Sequence, residues 1–420
     1  MEDKIKEVFA RQVDLIKLSE KEQEKIEKET ESFVKELENK IKKKRIKAEV
    51  FVGGSLAKGT IIKKQNYDID IFVRFDKKYQ DNEISNMLHK LMSNMKVKRI
   101  HGSRDYFQIK RKSILFEIVP TIKIAKPTEA KNVTDLSFFH VNYIKNQIRK
   151  NKRLAGEIML AKSFCHAQNC YGAESYILGF SGYALELLVS YYKSLLGFIK
   201  AVKERRDKQQ IILDPEKFYK NKQEILLNLN EAKLHSPIVF VDPTFKERNV
   251  LAALSSETFN KFKTACTQFL KSPSKKFFEK QNLQEKLRKR YKNLIIIEAK
   301  TNKQKGDIAG SKLKKFYEFL MKKIEKNYII KIKEFEYDES KNTGKIYLIL
   351  KQKKALVIAG PPITKVENLM SFKKKHKNCY IKQGKAYARE KPKNIKETIN
   401  ELRKDKILKE MDITEVKLFQ

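Results

Sequence analysis

The chain is short of acids, of paired cysteines and of long apolar runs, and each shortage narrows what it does. Against 92 Lys and Arg it carries 52 Asp and Glu in 420 residues, a net charge of +40. A surplus of that size points to a polyanionic partner. Because Lys runs through the whole chain, it implies a broad nucleic-acid surface rather than a basic tail. A lysine-biased, heat-adapted composition would raise Glu alongside Lys, and here Glu does not keep pace. Cys165, Cys170, Cys266 and Cys379 are scattered without Cys-x-x-Cys spacing. That pattern excludes both a zinc ribbon and a disulfide framework and fits a reducing compartment. No apolar stretch reaches membrane-spanning length, and the first residues form a charged helix without an apolar signal core, so the expectation is a soluble, cytoplasmic protein with no membrane partner. Gly54 to Thr60 lacks the Walker spacing, which excludes a P-loop, and no internal repeat is present.

What the sequence does have is concentrated in residues 51–74. Phe51-Val-Gly-Gly-Ser-Leu-Ala-Lys-Gly-Thr is followed eight residues later by Asp68-Ile-Asp70-Ile-Phe-Val-Arg. Strand side chains alternate between faces, so Asp68 and Asp70 project together while Ile69 and Ile71 pack behind them. Two carboxylates without His or Cys form half of a site for a hard divalent ion, Mg²⁺ being the natural candidate. The Gly-Gly-Ser turn offers backbone N–H groups and the Ser55 hydroxyl to a phosphate, with Lys58 nearby as a point charge. A lone Asp-x-Asp is usually a solvated strand face. The conjunction with a third acid raises its weight: Glu117 lies at the centre of the apolar run Ser113-Ile-Leu-Phe-Glu-Ile-Val-Pro. An unpaired carboxylate buried there is costly, so Glu117 calls for a metal or a cation.

Read in order, apolar residues from Ile5 to Ile41 recur at helical spacing and predict one or two amphipathic helices packed on the catalytic sheet. Strands follow at 47–52, 68–75, 96–101, 105–110 and 113–124, with a helix at 82–95, a mixed α/β unit with a small sheet. From 136 the pattern is helical, with Thr134 or Asp135 as the expected N-cap. A second dense cluster runs from Leu160 through Lys162, Tyr171 and Gly179 to Gly182-Tyr-Ala-Leu-Glu-Leu-Leu. Singly, Lys162 is most often a solvated charge, Tyr171 a packing residue and His140 a capped helix residue. Val241-Asp-Pro-Thr-Phe-Lys-Glu-Arg248-Asn-Val reads as a turn entering a helix at 254–270, where Arg248 reaches a phosphate or base edge or pairs with an acid. Pro273 marks a boundary. Beyond it, strands are expected at 293–299, 328–337, 345–351, 355–359 and 379–389, and helices at 307–326, 364–376 and 393–407. A long connection through Ser340–Gly344 joins the second and third strands. Lys-rich helices suit phosphate contacts there, but no catalytic constellation does.

Three signatures together resemble the archaeal-type (class I) CCA-adding enzymes, tRNA nucleotidyltransferases of the DNA polymerase β superfamily. They are Gly54-Ser-Leu-Ala-Lys-Gly-Thr with Asp68-Ile-Asp70, then Tyr171-Gly-Ala-Glu-Ser with Gly179-Phe-Ser-Gly-Tyr-Ala-Leu-Glu, then Asp242-Pro with Arg248-Asn-Val. Gly360-Pro-Pro-Ile and Gly384-Lys-Ala-Tyr-Ala-Arg extend the likeness into the tail. The first signature is shared across the superfamily, and the second and the tail are more specific. The resemblance implies an α+β multidomain protein. A polymerase-β-like nucleotidyltransferase head with a small mixed sheet (1–135) would precede a helical neck (136–272) and an RNA-binding α/β body and tail (273–420). It implies template-independent addition of C, C and A to the tRNA 3′ end from CTP and ATP, with the acceptor and T-arm region of tRNA as partner and a homodimer left open. Carried over by position, Asp68, Asp70 and Glu117 would be the catalytic carboxylates holding two Mg²⁺. One ion would activate the 3′-OH and the other grip the triphosphate. Ser55, Lys58, His140, Lys162 and Tyr171 would bind the triphosphate, and Arg248 the base. The chain has Asp, Asp, Glu where relatives commonly have Glu, Asp, Asp, and Lys58 where they often have Arg. The competing readings are a poly(A) polymerase or oligoadenylate synthetase, which share the first signature, and a catalytically silent RNA-binding relative, against which the intact acids argue.

Overall fold

A computed structural model describes residues 1–102, 104–206 and 209–419. The chain divides into two compact units, Met1–Ala173 with Ile177–Lys280, and Gln281–Gln420 with the short run Glu174–Tyr176.

In the first unit, helices α1 (Glu2–Ile16) and α2 (Glu20–Lys43) are separated by a capping box at Ser19. The Ser19 hydroxyl accepts from the Glu22 N–H while the Glu22 carboxylate accepts from the Ser19 N–H at 3.0 Å. Strand β1 (Ala48–Val52), the single turn α3 (Gly54–Ala57), strand β2 (Tyr67–Phe75), helix α4 (Asp81–Leu91) and strands β3 (Lys98–Ile100), β4 (Tyr106–Arg111) and β5 (Ile114–Ile122) follow. The strands form one sheet in the order β1-β2-β5-β4-β3, with β2 and β5 parallel and the other neighbours antiparallel. Its apolar face buries Ile69, Ile71, Val73, Phe116 and Ile118 against Phe33 and Leu37 of α2 and Ile84 and Leu88 of α4. Phe33 stacks on Phe116 at 4.3 Å.

The expectation that the 3–45 helices pack on this sheet holds for α2 and fails for α1. Ile5 and Phe9 enter a different core, where Phe9 lies against Phe269 and Phe278. Amphipathic spacing shows that a helix has a buried face, but not which core receives it. The expected cap is also corrected. Asn132 accepts from the Thr134 N–H and opens a short turn leading into α5 (Ser137–Lys150). Asp135 is instead buried against the Arg104 guanidinium and the Ile122 N–H.

That second core is built by α5, α6 (Leu154–Ala167), α7 (Gly182–Tyr192) and α8 (Leu195–Glu204). Strand β6 (Ile211–Leu213), helix α9 (Lys222–Asn228), strands β7 (Ile238–Asp242) and β8 (Phe245–Asn249) and helix α10 (Ser256–Lys271) complete this part. Phe164, Phe180, Phe198, Phe262 and Phe269 fill its centre. The small sheet β6-β7-β8 was not foreseen. The Asp242-Pro-Thr turn joins β7 to β8 and does not enter a helix, so Arg248 lies on a strand.

The second unit runs through α11 (Leu283–Arg290), β9 (Ile295–Lys300), α12 (Gly306–Asn327), β10 (Tyr328–Asp338), β11 (Thr343–Gln352), β12 (Leu356–Pro362), α13 (Val366–Lys375), β13 (Cys379–Lys382), β14 (Lys385–Glu390), α14 (Ile395–Arg403), α15 (Ile407–Glu410) and β15 (Glu415–Phe419). Two sheets result, β10-β11-β9-β15 and β12-β14-β13. The expected strand at 379–389 is two strands, because Gln383 and Gly384 both take positive φ (49° and 71°) and fold the chain into a hairpin. Strands β10 and β11 pair out to Asp338 opposite Thr343, so their connection is shorter than expected. The expected helix at 393–407 is α14 followed by the separate turn α15, and β15 adds an edge strand to β9. The four cysteines are free, and no helix among the described residues is long and apolar enough to cross a membrane.

Candidate active site

The carboxylates are set by the register of β2 on β5. The parallel pairing puts Asp70 opposite Glu117 and Asp68 opposite Leu115. Along β2 the residues Tyr67, Ile69 and Ile71 are buried, while Asp68 is exposed and Asp70 half-buried, the alternation expected for one apolar and one acidic face. The turn above them is pinned by the Gly53 N–H donating to the Asp70 carbonyl at 2.9 Å. Gly54 takes φ +58°, and a Cβ there would lie 1.7 Å from Asp70 Oδ2. Only glycine lets this backbone press so closely on the carboxylate. Burial pushes the Asp70 carboxyl up, against the opposing charge of Lys58. Among the described residues no hydrogen-bond donor meets its side chain, and Lys64 lies 3.9 Å from Asp68. Glu117 receives a hydrogen bond from the Gln108 amide at 2.8 Å, a partner that the sequence alone does not suggest.

A cleft of about 350 Å³ opens over these acids, and Ser55, Lys58, Asp68, Asp70, His140, Lys162 and Tyr171 all line it. Seven of the nine candidate residues, drawn from four elements and the loops beside them, thus share one cavity. Glu117 and Arg248 are not in its lining. Among the described residues no group of three His, Cys, Asp or Glu side chains converges into a ready-made metal cage.

Two buried anions organise the cations of this site, and neither stands out in the sequence. Glu186 on α7 is fully buried and accepts from Lys58 Nζ at 2.6 Å and from Lys162 Nζ at 2.8 Å. Lys162 also donates to the Thr60 hydroxyl at 2.9 Å. Burial would raise the Glu186 carboxyl, but the two ammonium groups outweigh it and hold it below the usual carboxylate range. Lys162 and Lys58 are therefore not the solvated charges that isolated lysines usually are.

The second anion is Asp242 at the end of β7. It accepts from Arg248 Nη1 at 2.7 Å, from the Tyr183 hydroxyl at 3.1 Å and from the Thr244 N–H and hydroxyl at 2.9 and 2.8 Å. His140 Nε2 lies 3.1 Å from it, and the imidazole stacks on Tyr183 at 4.0 Å. Burial would raise the Asp242 carboxyl, yet His140, Arg248 and the Thr244 donor outweigh it and hold it well below the usual range. Burial lowers His140 against the pull of Asp242. Tyr171 is held by a bridge to Phe180 and stacks on His166 at 4.0 Å; burial, then Lys64 and Lys162, push that imidazole down to about 4, so it is neutral at pH 7. Gly182 faces the Tyr171 hydroxyl so closely that a Cβ would lie 2.8 Å from it.

A mixed sheet with Asp-x-Asp on its second strand, a glycine turn over the acids and a lysine-lined cleft define a nucleotidyltransferase of the polymerase-β-like class. Solved structures support that fold. The chain is similar to the Cid1 poly(U) polymerase with Mg and 3′-dATP bound, at a TM-score of 0.51 and 17% identity over 65% of this chain and 98% of that one. It is also similar to a cytoplasmic RNA terminal U-transferase, at 0.52 and 15% over 67% of this chain and 100% of that one. Residues 156–279 match the family described as tRNA nucleotidyltransferase, second domain, and residues 4–136 match the Second Messenger Oligonucleotide or Dinucleotide Synthetase domain. The CCA-adding enzyme of Nanoarchaeum equitans is 35% identical over 81% of this chain and 83% of its own length, and that of Methanocaldococcus jannaschii is 30% identical over 81% and 77%. The chain belongs to the CCA-adding enzymes.

Proposed function

We propose that this protein adds C, C and A to the 3′ end of tRNA from CTP and ATP, without a template, in the cleft between β2 and the α5–α7 helices. The observation that carries the site assignment is Asp70: a half-buried carboxylate whose proton affinity is raised by burial, with no donor to it among the described residues, beside Asp68 and opposite Glu117. Such a group wants a cation, and its all-oxygen neighbours fit a hard one, so Asp68, Asp70 and Glu117 would hold magnesium, two ions in our reading. Magnesium bound there would acidify the attacking 3′-hydroxyl and neutralise phosphate charge. Lys58, Lys162, Ser55, Tyr171 and His140 would bind and orient the triphosphate, and Arg248, fixed by Asp242, would meet the base. Reaction then needs alignment and charge neutralisation rather than a protein nucleophile.

The working division is a catalytic head (1–135) whose N-terminal helix serves the neck's core, a neck (136–272), and a body and tail (273–420) that meet the acceptor and T-arm region of tRNA. Incubating the protein with tRNA ending before its CCA, and with each nucleotide alone and in combination, tests this function. Ordered C, C, A products that then stop are expected. A homopolymer tail would instead favour a poly(A)-type transferase, and no incorporation a silent RNA-binding relative.

A further inference from the structure

Glu186 occupies a turn of α7 whose other members, Ala184, Leu185, Leu187 and Leu188, are all apolar and buried. A carboxylate in such a place is strongly unfavourable unless cations meet it. Both that do are cleft residues from other parts of the chain: Lys58, which follows the glycine turn, and Lys162, on α6. The Thr60 hydroxyl closes the arrangement, accepting from Lys162 at 2.9 Å and lying 3.4 Å from the same Glu186 oxygen that Lys162 engages.

We propose that Glu186 is a positioning residue for triphosphate binding: it anchors the Lys58 and Lys162 ammonium groups side by side on one wall of the cleft. The inference rests on the reading that these two lysines meet the triphosphate. A lysine ammonium has three donors and a flexible stem. Lys162 spends two donors on Glu186 and Thr60 and Lys58 one on Glu186, so each keeps at least one for a phosphate oxygen while its reach is already fixed. Without the carboxylate, two like charges in a buried site repel and splay. The charged groups facing this pair are Glu186 itself and Asp70; the imidazoles of His166 and His140, whose protonation burial disfavours, lie near Lys162 and Lys58. Of these only Glu186 bonds both lysines. Glu186 thereby also leaves the Asp70 oxygens unengaged by lysine.

The test uses the full-length chain and compares CTP and ATP with CMP and AMP, which lack the outer phosphates. E186Q is expected to raise Kd and KM for both triphosphates about tenfold, the effect of disabling one charge-assisted network. Turnover at saturating nucleotide should stay within about threefold, and CMP and AMP affinity should be unchanged. E186D, which restores the charge, should recover most of the loss. T60V should weaken triphosphate binding about threefold, and it carries the test if E186Q does not fold. Unchanged triphosphate affinity in E186Q (or in T60V, should E186Q be unfolded) overturns the proposal, as does an equal loss for monophosphates or failure of E186D to recover. K162A separates the two levels: if it weakens both triphosphates while E186Q does not, the positioning role falls and the triphosphate reading stands, whereas no effect of K162A removes both.

Discussion

At the scale of single residues, the site is a set of charges whose partners decide what they do. Among the described residues no donor meets the Asp70 side chain, so Asp70→Asn is expected to abolish both C and A addition while tRNA affinity stays within a few-fold. Single-turnover incorporation of either nucleotide near the wild-type rate would remove Asp70 from the metal-holding role. Lys162→Ala and Tyr171→Phe should raise KM for CTP and ATP alike, because a triphosphate contact does not distinguish bases. Lys162 should matter more, since it supplies a full charge; a KM effect confined to one nucleotide would move the residue to the base. Asp242 makes a stability prediction. Its carboxyl is held well below the usual range, so its contribution is complete above the unfolded-state pKa of about 3.9 and fades as pH falls toward the folded-state value. Asp242→Asn should lose ~3–5 kcal/mol near neutrality, and the gap to wild type should narrow in acid, as measured by denaturant unfolding across pH. Equal gaps at both ends would mean that the Asp242 charge is not what stabilises the fold.

At the scale of elements, the acidic strand and its glycine turn were legible because period-two alternation and a Gly-Gly-Ser break are local signals, and β2 alternates as read. Glu186 and Asp242 were legible in principle by the argument that picks out Glu117, a lone acid in an apolar run, but each sits inside a motif whose other residues carry the stronger signal. Strands β6 to β8 were missed for a different reason. They are three to five residues long, and β7 is buried at every position, so it shows no alternation. The hairpin of β13 and β14 hides behind Gln383, a residue that rarely takes the left-handed conformation it has here. The turn α3 supplies the test at this scale. Gly54→Ala places a methyl on the Asp70 carboxylate and strains a positive φ, so the turn must move. Activity should fall about a hundredfold, the effect of an ångström-scale misplacement, while the far-UV circular dichroism stays that of wild type. Near wild-type turnover would show that the turn tolerates displacement.

At the scale of the whole molecule, the charge of +40 is a statement about association with polyanions rather than about fold. The last turn of α13 carries Lys373, Lys374 and Lys375, all solvent-facing. If they bind tRNA phosphates, replacing all three by Gln should lower the log–log salt slope of tRNA binding by about 2 to 3, at about 0.7–0.9 for each phosphate no longer neutralised. An unchanged slope would mark them as a solvated face. Pro273 does not fall at the edge of the first unit, which runs on to Lys280 because Phe277 and Phe278 pack in its core, and the destination of α1 is equally illegible, because helical spacing gives a helix a face and no address.

That destination has a consequence for how the protein is made. Ile5 and Phe9 are synthesised early, whereas their packing partners Phe269 and Phe278 come near the end of the first unit. At ~5–20 residues per second a ribosome needs tens of seconds to cover that distance. Helix α6, whose Ser163 accepts from the Gln12 amide, is made earlier, but throughout that interval Phe9 lacks the aromatic rings it finally packs on, and the exposed face of α1 around it carries the charges of Glu2, Asp3, Lys4, Lys6, Glu7, Arg11 and Asp14. Nascent chains arrested before Phe269 has cleared the exit tunnel should therefore be cut readily within α1 by a protease. Those arrested well beyond Phe278 should resist, so the beginning of the chain is among the last parts to become native.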